Sequence, residues 1–201
     1  MPTGLKRYQT AHSLHFITFS CYRRLPLLEA PAAKETVEVL LEQVRARHQA
    51  RIYAYVLMPE HVHLLVNEPP RILLAQFLKA IKQTASRKLR GSRKKFWQNR
   101  YYDSNVRGEK ARSAVIRYIH RNPVTRGLVA KPEDWHWSSF LHYATGLKGT
   151  IEIESQWTAA GRGHQLPEGV RLTTGERFRF PTLSAENAER MGHTPSRENP
   201  E

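Results

Sequence analysis

Two histidines separated by a single residue are the first feature of this sequence that can carry chemistry. His61 and His63 lie in the stretch HVHLLVN (61–67), whose aliphatic composition predicts a β-strand. Side chains alternate across a strand, so both imidazoles project from one face and the intervening apolar side chains from the other, towards the core. Two imidazoles held side by side can bind one divalent metal ion. The alternative is a pair of structural histidines in a partly buried strand.

A tyrosine on a predicted helix is the second candidate. The spacing of apolar residues predicts a helix over 109–122 that ends before Pro123. Tyr118 and Asn122 are four residues apart, so a phenol and an amide oxygen share one face of this helix. The alternative is that Tyr118 packs in the core and Asn122 caps the helix C-terminus.

Charge points to a polyanionic partner. Lys and Arg number 32 against 18 Asp and Glu, a formal net charge of +14. Binding nucleic acid would release counterions from its phosphates. A carboxylate-rich two-metal site and an ATP-driven machine are disfavoured, because no carboxylate cluster stands out and no phosphate-binding loop is present. One cysteine excludes an internal disulfide, and no apolar run approaches the roughly 20 residues of a membrane span, so we expect a cytoplasmic protein.

The basic residues concentrate between Pro69 and Tyr102, where no acid occurs. Aromatic residues interleave with them around 96–102 and can stack on unpaired bases. The alternative is a solvated helix face followed by a loop whose aromatic residues fill the core. The candidate DNA-binding residues are Lys79, Lys82, Arg87, Lys88, Arg90, Arg93, Lys94, Lys95 and Arg100.

The order of predicted elements indicates an α+β fold. Strands are predicted at 14–22, 51–57, 61–67 and 101–107, with one helix after Pro31 and another around 74–81. The order β-α-β-β-α-β is typical of a ferredoxin-like antiparallel sheet, and an added C-terminal helix bears Tyr118. Hydrophobic periodicity fades from about Gly146 onward. We expect one domain over residues 1–160 and a flexible tail over 161–201.

Several short motifs resemble one family. The stretch MPEHVHLLV (58–66) resembles the histidine signature of the single-tyrosine HUH transposases. FWQ (96–98), RYIHRNPV (117–124) and WSS (137–139) resemble later blocks of its REP-associated tyrosine transposase branch. The resemblance runs from about residue 15 to 157, in the same order and spacing.

The resemblance implies a specific chemistry. Members of the family hold Mg²⁺ or Mn²⁺, here at His61, His63 and Asn122, and a tyrosine, here Tyr118, attacks a DNA phosphate. The products are a 5′-phosphotyrosine link and a free 3′-hydroxyl, with no nucleotide cofactor. The implied substrate is single-stranded DNA bearing a REP-type hairpin, and a monomer is favoured over a dimer. Two alternatives stay open: a non-catalytic, sequence-specific DNA-binding protein derived from a transposase, and a nuclease that activates water at the histidines.

Overall fold

The computed structural model describes residues 13–161. It contains a four-stranded antiparallel sheet of order β2-β3-β1-β4 with helices on both faces, which confirms the predicted α+β, ferredoxin-like arrangement. The described residues also include two 3-10 turns, at Tyr22–Arg24 and Pro132–Asp134. The elements are β1 (Leu14–Ser20), α1 (Pro31–His48), β2 (Ile52–Leu57), β3 (His61–Asn67), α2 (Leu74–Leu89), β4 (Tyr102–Val106), α3 (Glu109–Thr125), α4 (Phe140–Thr145) and α5 (Gln156–Gly161).

Both faces of the sheet are covered, each by different helices. The predicted core face of β3, with Val62 and Leu64, packs in one apolar cluster with buried residues of α1 and α2. The opposite face, which carries Leu65, packs against Val115 and Ile119 of α3. The face of β3 that bears the two histidines is therefore enclosed by α3.

The outer edge of β2 is paired by residues far along the chain. Leu57 N donates to Trp137 O at 2.9 Å, and Ser139 N donates to Tyr55 O at 3.1 Å. Further on, Ile153 forms a parallel bridge to Ile52 and is 2% exposed. An unpaired strand edge is a template for aggregation, so this pairing protects the sheet. The segment after Gly146, where hydrophobic periodicity fades, thus contributes to the core.

The predicted end of α3 is wrong. The helix continues through Pro123 to Thr125. Proline lacks the N–H that would bond one turn back, but this costs a single hydrogen bond close to the helix end. The helix end is closed by Arg126 N, which donates to Asn122 O at 3.0 Å with the usual four-residue spacing, and by Leu128 N, which donates to Pro123 O at 3.0 Å. Asn122 is consequently helical and shares a face with Tyr118.

The predicted tail over residues 161–201 lies outside the described residues, apart from Gly161. Among residues 13–161, none of the helices is long and apolar enough to cross a bilayer. Cys21 is fully buried, as its strand context indicates.

We predict that the contact between the sheet and α3 is a major source of stability. Leu65 is 0% exposed, so Leu65→Ala should lower the free energy of unfolding by about 2–5 kcal/mol, because the lost packing leaves a cavity. Urea denaturation measures the change. Leu147→Ala is the matched control, because Leu147 is 61% exposed and should change stability by less than about 0.5 kcal/mol. Equal effects at the two positions would contradict the described packing.

Candidate metal and tyrosine site

The two histidines of β3 meet at their outer ring nitrogens. His61 Nε2 lies 3.0 Å from His63 Nε2, and the ring centroids are 4.5 Å apart. The side chains are almost completely enclosed, with relative exposures of 1% for His61 and 2% for His63. Strand geometry predicts their shared face, and the structure confirms it.

The inner ring nitrogens of both histidines are held by side chains from neighbouring positions. His61 Nδ1 lies 3.0 Å from Glu60 Oε1, and an ionised carboxylate only accepts, so His61 carries its proton on Nδ1. His63 Nδ1 lies 2.7 Å from Thr18 Oγ1, directly across the β1–β3 pair. A threonine hydroxyl can donate or accept, so it accommodates either neutral tautomer of His63.

Helix α3 brings Tyr118 and Asn122 against these rings. The centroids of Tyr118 and His63 are 5.3 Å apart, and the Tyr118 ring meets Phe16 edge-on at 5.8 Å. The Asn122 amide lies 3.3 Å from His63 Nε2 through the atom assigned as Nδ2. Exchanging the amide N and O is an equivalent interpretation of the side chain, and it would place the oxygen there instead. All four residues chosen from the sequence therefore form one cluster.

The cluster fits a divalent metal ion. An octahedral ion with ligands about 2.1 Å away separates adjacent ligand atoms by about 3.0 Å. The separation of the two Nε2 atoms is 3.0 Å. Asn122 Oδ1 is buried and makes no hydrogen bond of standard geometry within residues 13–161. No group of three His, Cys, Asp or Glu side chains suited to a metal occurs in that range. The buried amide oxygen of Asn122 could serve as a third protein ligand beside the two imidazoles.

Glu60 joins the histidine pair to two arginines. Its Oε1 accepts from Arg24 Nη2 at 3.2 Å and from Arg126 Nη1 at 2.9 Å, besides contacting His61. Burial by itself raises the pKa of this carboxyl, but its hydrogen bond and charge interaction with His61, together with Arg126, lower the pKa to about 2. Glu60 is therefore a carboxylate at neutral pH, and it orients His61 as carboxylates orient metal-binding histidines elsewhere.

Burial shifts the pKa values of both His61 and Tyr118. Burial lowers the pKa of His61, against the opposing effect of Glu60, so the imidazole stays neutral, the form that binds metal. Burial raises the pKa of Tyr118, whereas the Asn122 side chain and the positive charges of Arg126 and Arg24 lower it. The net effect is an elevated pKa, and the phenol is protonated at neutral pH.

The basic residues predicted for DNA lie around a groove beside α2. This groove has a volume of about 590 Å³, and five of the predicted residues line it: Lys79, Lys82, Arg87, Arg90 and Lys95. All the predicted residues are exposed except Lys82, whose Nζ donates to the backbone oxygen of Gln98 at 2.6 Å and supports the loop. The remaining four, Lys88, Arg93, Lys94 and Arg100, lie outside the lining.

Some aromatic residues near this groove serve the core. Phe96 and Trp97 are 2% and 7% exposed, and Trp97 packs edge-on against Phe19 at 5.2 Å. The segment containing them also joins the end of β1, with Gln98 N donating to Ser20 O at 2.9 Å and Tyr22 N to Phe96 O at 2.8 Å. The groove and the histidine pair therefore lie at the same end of the sheet, because Ser20 pairs with His61.

Sequence reasoning missed four residues of the site: Thr18, Glu60, Arg24 and Arg126. Glu60 has a detectable signal, since it directly precedes His61. Thr18 is detectable only once the strand register is known. The arginines are two among many in a strongly basic chain, and only the fold identifies them.

Comparison with known proteins fits this geometry. Residues 8–122, more than half of the chain, match the family described as Transposase IS200 like. The chain belongs to the IS200-like transposase family. The family expected from the histidine and tyrosine motifs is thereby confirmed.

Two relatives of this IS200-like transposase carry names from the expected branch. A Haemophilus influenzae protein assigned by its name to the REP-associated tyrosine transposases is 30% identical over 101 residues, 43% of this chain and 57% of that protein. The REP-associated tyrosine transposase of Escherichia coli is 28% identical over 107 residues, 49% of this chain and 59% of that protein. The chain thus spans under two thirds of the length of either relative.

A solved structure of a REP-associated tyrosine transposase bound to a REP hairpin shares the fold. It superposes with a TM-score of 0.63, at 23% identity, over 88% of this chain and 98% of that one. This likeness supports the α+β assignment of the IS200-like transposase described here.

We predict that Thr18 stabilises His63 in the metal-free protein. Thr18→Val keeps the shape of the side chain but removes the hydroxyl that contacts the buried His63 Nδ1, and it should lower the free energy of unfolding by about 1–3 kcal/mol. Urea denaturation gives this value. The control is Thr36→Val. The Thr36 hydroxyl donates to Ala32 O on an exposed helix surface, so its removal should change the free energy of unfolding by less than about 0.5 kcal/mol. A Thr18→Val protein as stable as the wild type would disprove the described contact.

Proposed function

We propose that this chain is a tyrosine transposase that cleaves and rejoins single-stranded DNA through a 5′-phosphotyrosine intermediate. The observation that carries the proposal is the contact of Tyr118 with the histidine pair, 5.3 Å between the Tyr118 and His63 rings, with Asn122 beside both. A nucleophile beside two nitrogen ligands and an amide oxygen is an arrangement that can support metal-assisted phosphoryl transfer to tyrosine.

His61, His63 and Asn122 would hold Mg²⁺ or Mn²⁺. When bound, the ion supplies positive charge to the non-bridging oxygens of the phosphate and to the leaving oxygen. Glu60 and Thr18 fix the histidine rings from behind, so the two Nε2 atoms stay aimed at one point.

The chemical step exchanges one phosphate ester for another. The Tyr118 oxygen forms a bond to phosphorus, its proton leaves to solvent, and the bond from phosphorus to the 3′ oxygen breaks. The 3′ oxygen takes up a proton and becomes the free 3′-hydroxyl. The phosphotyrosine retains the ester, so attack by a 3′-hydroxyl reverses the step and rejoins DNA without a nucleotide cofactor.

We propose hairpin-bearing, REP-like single-stranded DNA as the substrate. Two features of the chain support it, the net charge of +14 and the basic groove beside α2. It is also supported by the name of the Escherichia coli relative and by the similar structure that is bound to a REP hairpin. The exposed basic residues of the groove would contact the DNA backbone. We further propose that the protein acts as a monomer in the cytoplasm.

We predict that Tyr118 becomes covalently linked to DNA. The full chain is incubated with Mn²⁺ and labelled single-stranded oligonucleotides that carry a hairpin and randomised flanks, and adducts are resolved on a denaturing gel. Wild type should form an adduct that Tyr118→Phe abolishes, because the nucleophilic oxygen is gone. Tyr53→Phe, a half-buried tyrosine on β2, is the matched control and should form normal adduct.

The same assay separates the alternatives. Cleavage without any adduct would instead support a nuclease that activates water. Tight DNA binding with neither cleavage nor adduct would support the non-catalytic DNA-binding protein.

We predict that Mn²⁺ binds at the histidine pair without DNA. Calorimetric titration should show one site in the wild type, and Mn²⁺ should raise the melting temperature by mass action. His63→Ala and Asn122→Ala should each weaken binding at least about tenfold, because each removes a ligand. His136→Ala, an exposed histidine outside the site, should bind normally. Binding that survives His63→Ala unchanged would place the metal elsewhere.

A further inference from the structure

We infer that Arg24 and Arg126 bind the phosphate attacked by Tyr118, as a guanidinium pair held beside the histidines by Glu60. The inference rests on the proposed function for the existence of that phosphate. It extends the reaction centre to two side chains that no sequence motif identifies.

One carboxylate oxygen organises the pair. Glu60 Oε1 accepts from Arg24 at 3.2 Å and from Arg126 at 2.9 Å, while it also contacts His61 Nδ1 at 3.0 Å. The Glu60 side chain is 10% exposed, whereas the arginine side chains are 50% and 36% exposed. The anchor is therefore buried and the guanidiniums extend from it to the surface.

The charge and the donors of the pair exceed what Glu60 needs. Two guanidiniums and one carboxylate leave one positive charge in excess. The described contact with Glu60 uses one nitrogen of each guanidinium, and each group has five N–H donors in a planar fork. This fork matches the oxygens of a phosphate in bidentate geometry.

Helical spacing places Arg126 at the reaction centre. Tyr118, Asn122 and Arg126 follow one another at intervals of four residues, so they share one face of α3 and its C-terminal cap. The nucleophile, the amide and the guanidinium are thus presented in a row towards β3. The positive charges of both arginines reach the phenol of Tyr118.

The backbone at Arg24 suggests that its side chain has a role. Arg23 and Arg24 have φ angles of 55° and 53°, a left-handed conformation that costs a non-glycine residue about 1–2 kcal/mol. Glycine or asparagine would adopt it more easily. An arginine at position 24 is therefore unfavourable for the backbone. We take its contact with Glu60 as the role that offsets this cost.

The same loop joins the site to the basic groove. Two cations contact the ring of Tyr22, with Lys95 Nζ 5.5 Å and the Arg23 guanidinium 5.4 Å from the ring centroid. Lys95 lines the groove, and Arg24 follows directly after Arg23. Basic side chains therefore link the groove to the loop that carries Arg24.

The competing explanation is that the arginines only neutralise Glu60. The variants that separate the two are Arg24→Asn, which suits the left-handed backbone, and Arg126→Gln, each with and without Glu60→Gln. Arg51→Gln is the matched control, because Arg51 is exposed and lies at the opposite end of β2 and β3. Circular dichroism melting verifies that each variant is folded.

Adduct formation is measured with the hairpin oligonucleotides described above, over a series of Mn²⁺ concentrations that extends to saturation. Binding of a labelled single-stranded oligonucleotide is measured in parallel by fluorescence anisotropy at several salt concentrations. Each arginine variant should lose about 10²-fold or more in adduct rate, as expected for removing a donor to a developing charge. Its salt slope should fall by about 0.7, because one phosphate contact is lost. Arg51→Gln should match the wild type in both.

Recovery of the adduct rate on adding Glu60→Gln, or by raising Mn²⁺, would overturn the inference, because the arginines would then serve only charge balance or the metal. If the wild type itself forms no adduct, the proposed function fails. The binding data then decide whether the two arginines bind phosphate. A reduced salt slope in Arg24→Asn and Arg126→Gln would still support phosphate binding, and an unchanged slope would reject it.

Discussion

The site depends on two imidazole nitrogens that are held 3.0 Å apart on one face of the sheet, and both faces of this sheet are covered. If Glu60 and Thr18 both accept from the inner nitrogens, two lone pairs face each other at that distance, which is repulsive without a cation between them. In the metal-free chain Thr18 can instead donate to His63 Nδ1, and His63 Nε2–H can then donate to His61. Rotation of the Thr18 hydroxyl, together with a change of the His63 tautomer that moves the ring proton from Nδ1 to Nε2, thus lets the buried pair be satisfied in both states.

Helix α3 completes the constraint. Its Val115 and Ile119 dock on the sheet, and this docking fixes the rotation of the helix about its axis. Once that rotation is fixed, the period of about four residues determines where Tyr118, Asn122 and Arg126 lie. Continuation through Pro123 matters for this reason: a helix that ended at Asn122 would leave the position of Arg126 undetermined. The packing of apolar residues therefore positions the polar ones.

Local patterns predicted much of this arrangement, and their limits have physical causes. Strand alternation placed His61 and His63 on one face, and helical spacing paired Tyr118 with Asn122. Glu60 and Arg24 escaped prediction because they contact each other across loops, where no periodicity relates residues 36 positions apart. The predicted end of α3 is wrong because the rule for residues before proline considers only a local steric cost. Tertiary packing of the helix outweighs that cost here. The contribution of Ile151 and Ile153 was missed because single buried residues in a loop form no repeat.

The electrostatics of the cluster bear on when it can react. Burial raises the pKa of Tyr118, so the isolated protein holds a protonated, weakly nucleophilic phenol, while Asn122 and the two arginines act in the opposite direction. The carboxylate of Glu60 limits the excess positive charge near the phenol to that of one guanidinium. In the proposed reaction, a bound cation would favour the phenolate, and an arriving phosphate would engage the arginines. Activation of the nucleophile would then accompany assembly of the complete site, and Tyr118 would remain unreactive in the isolated chain.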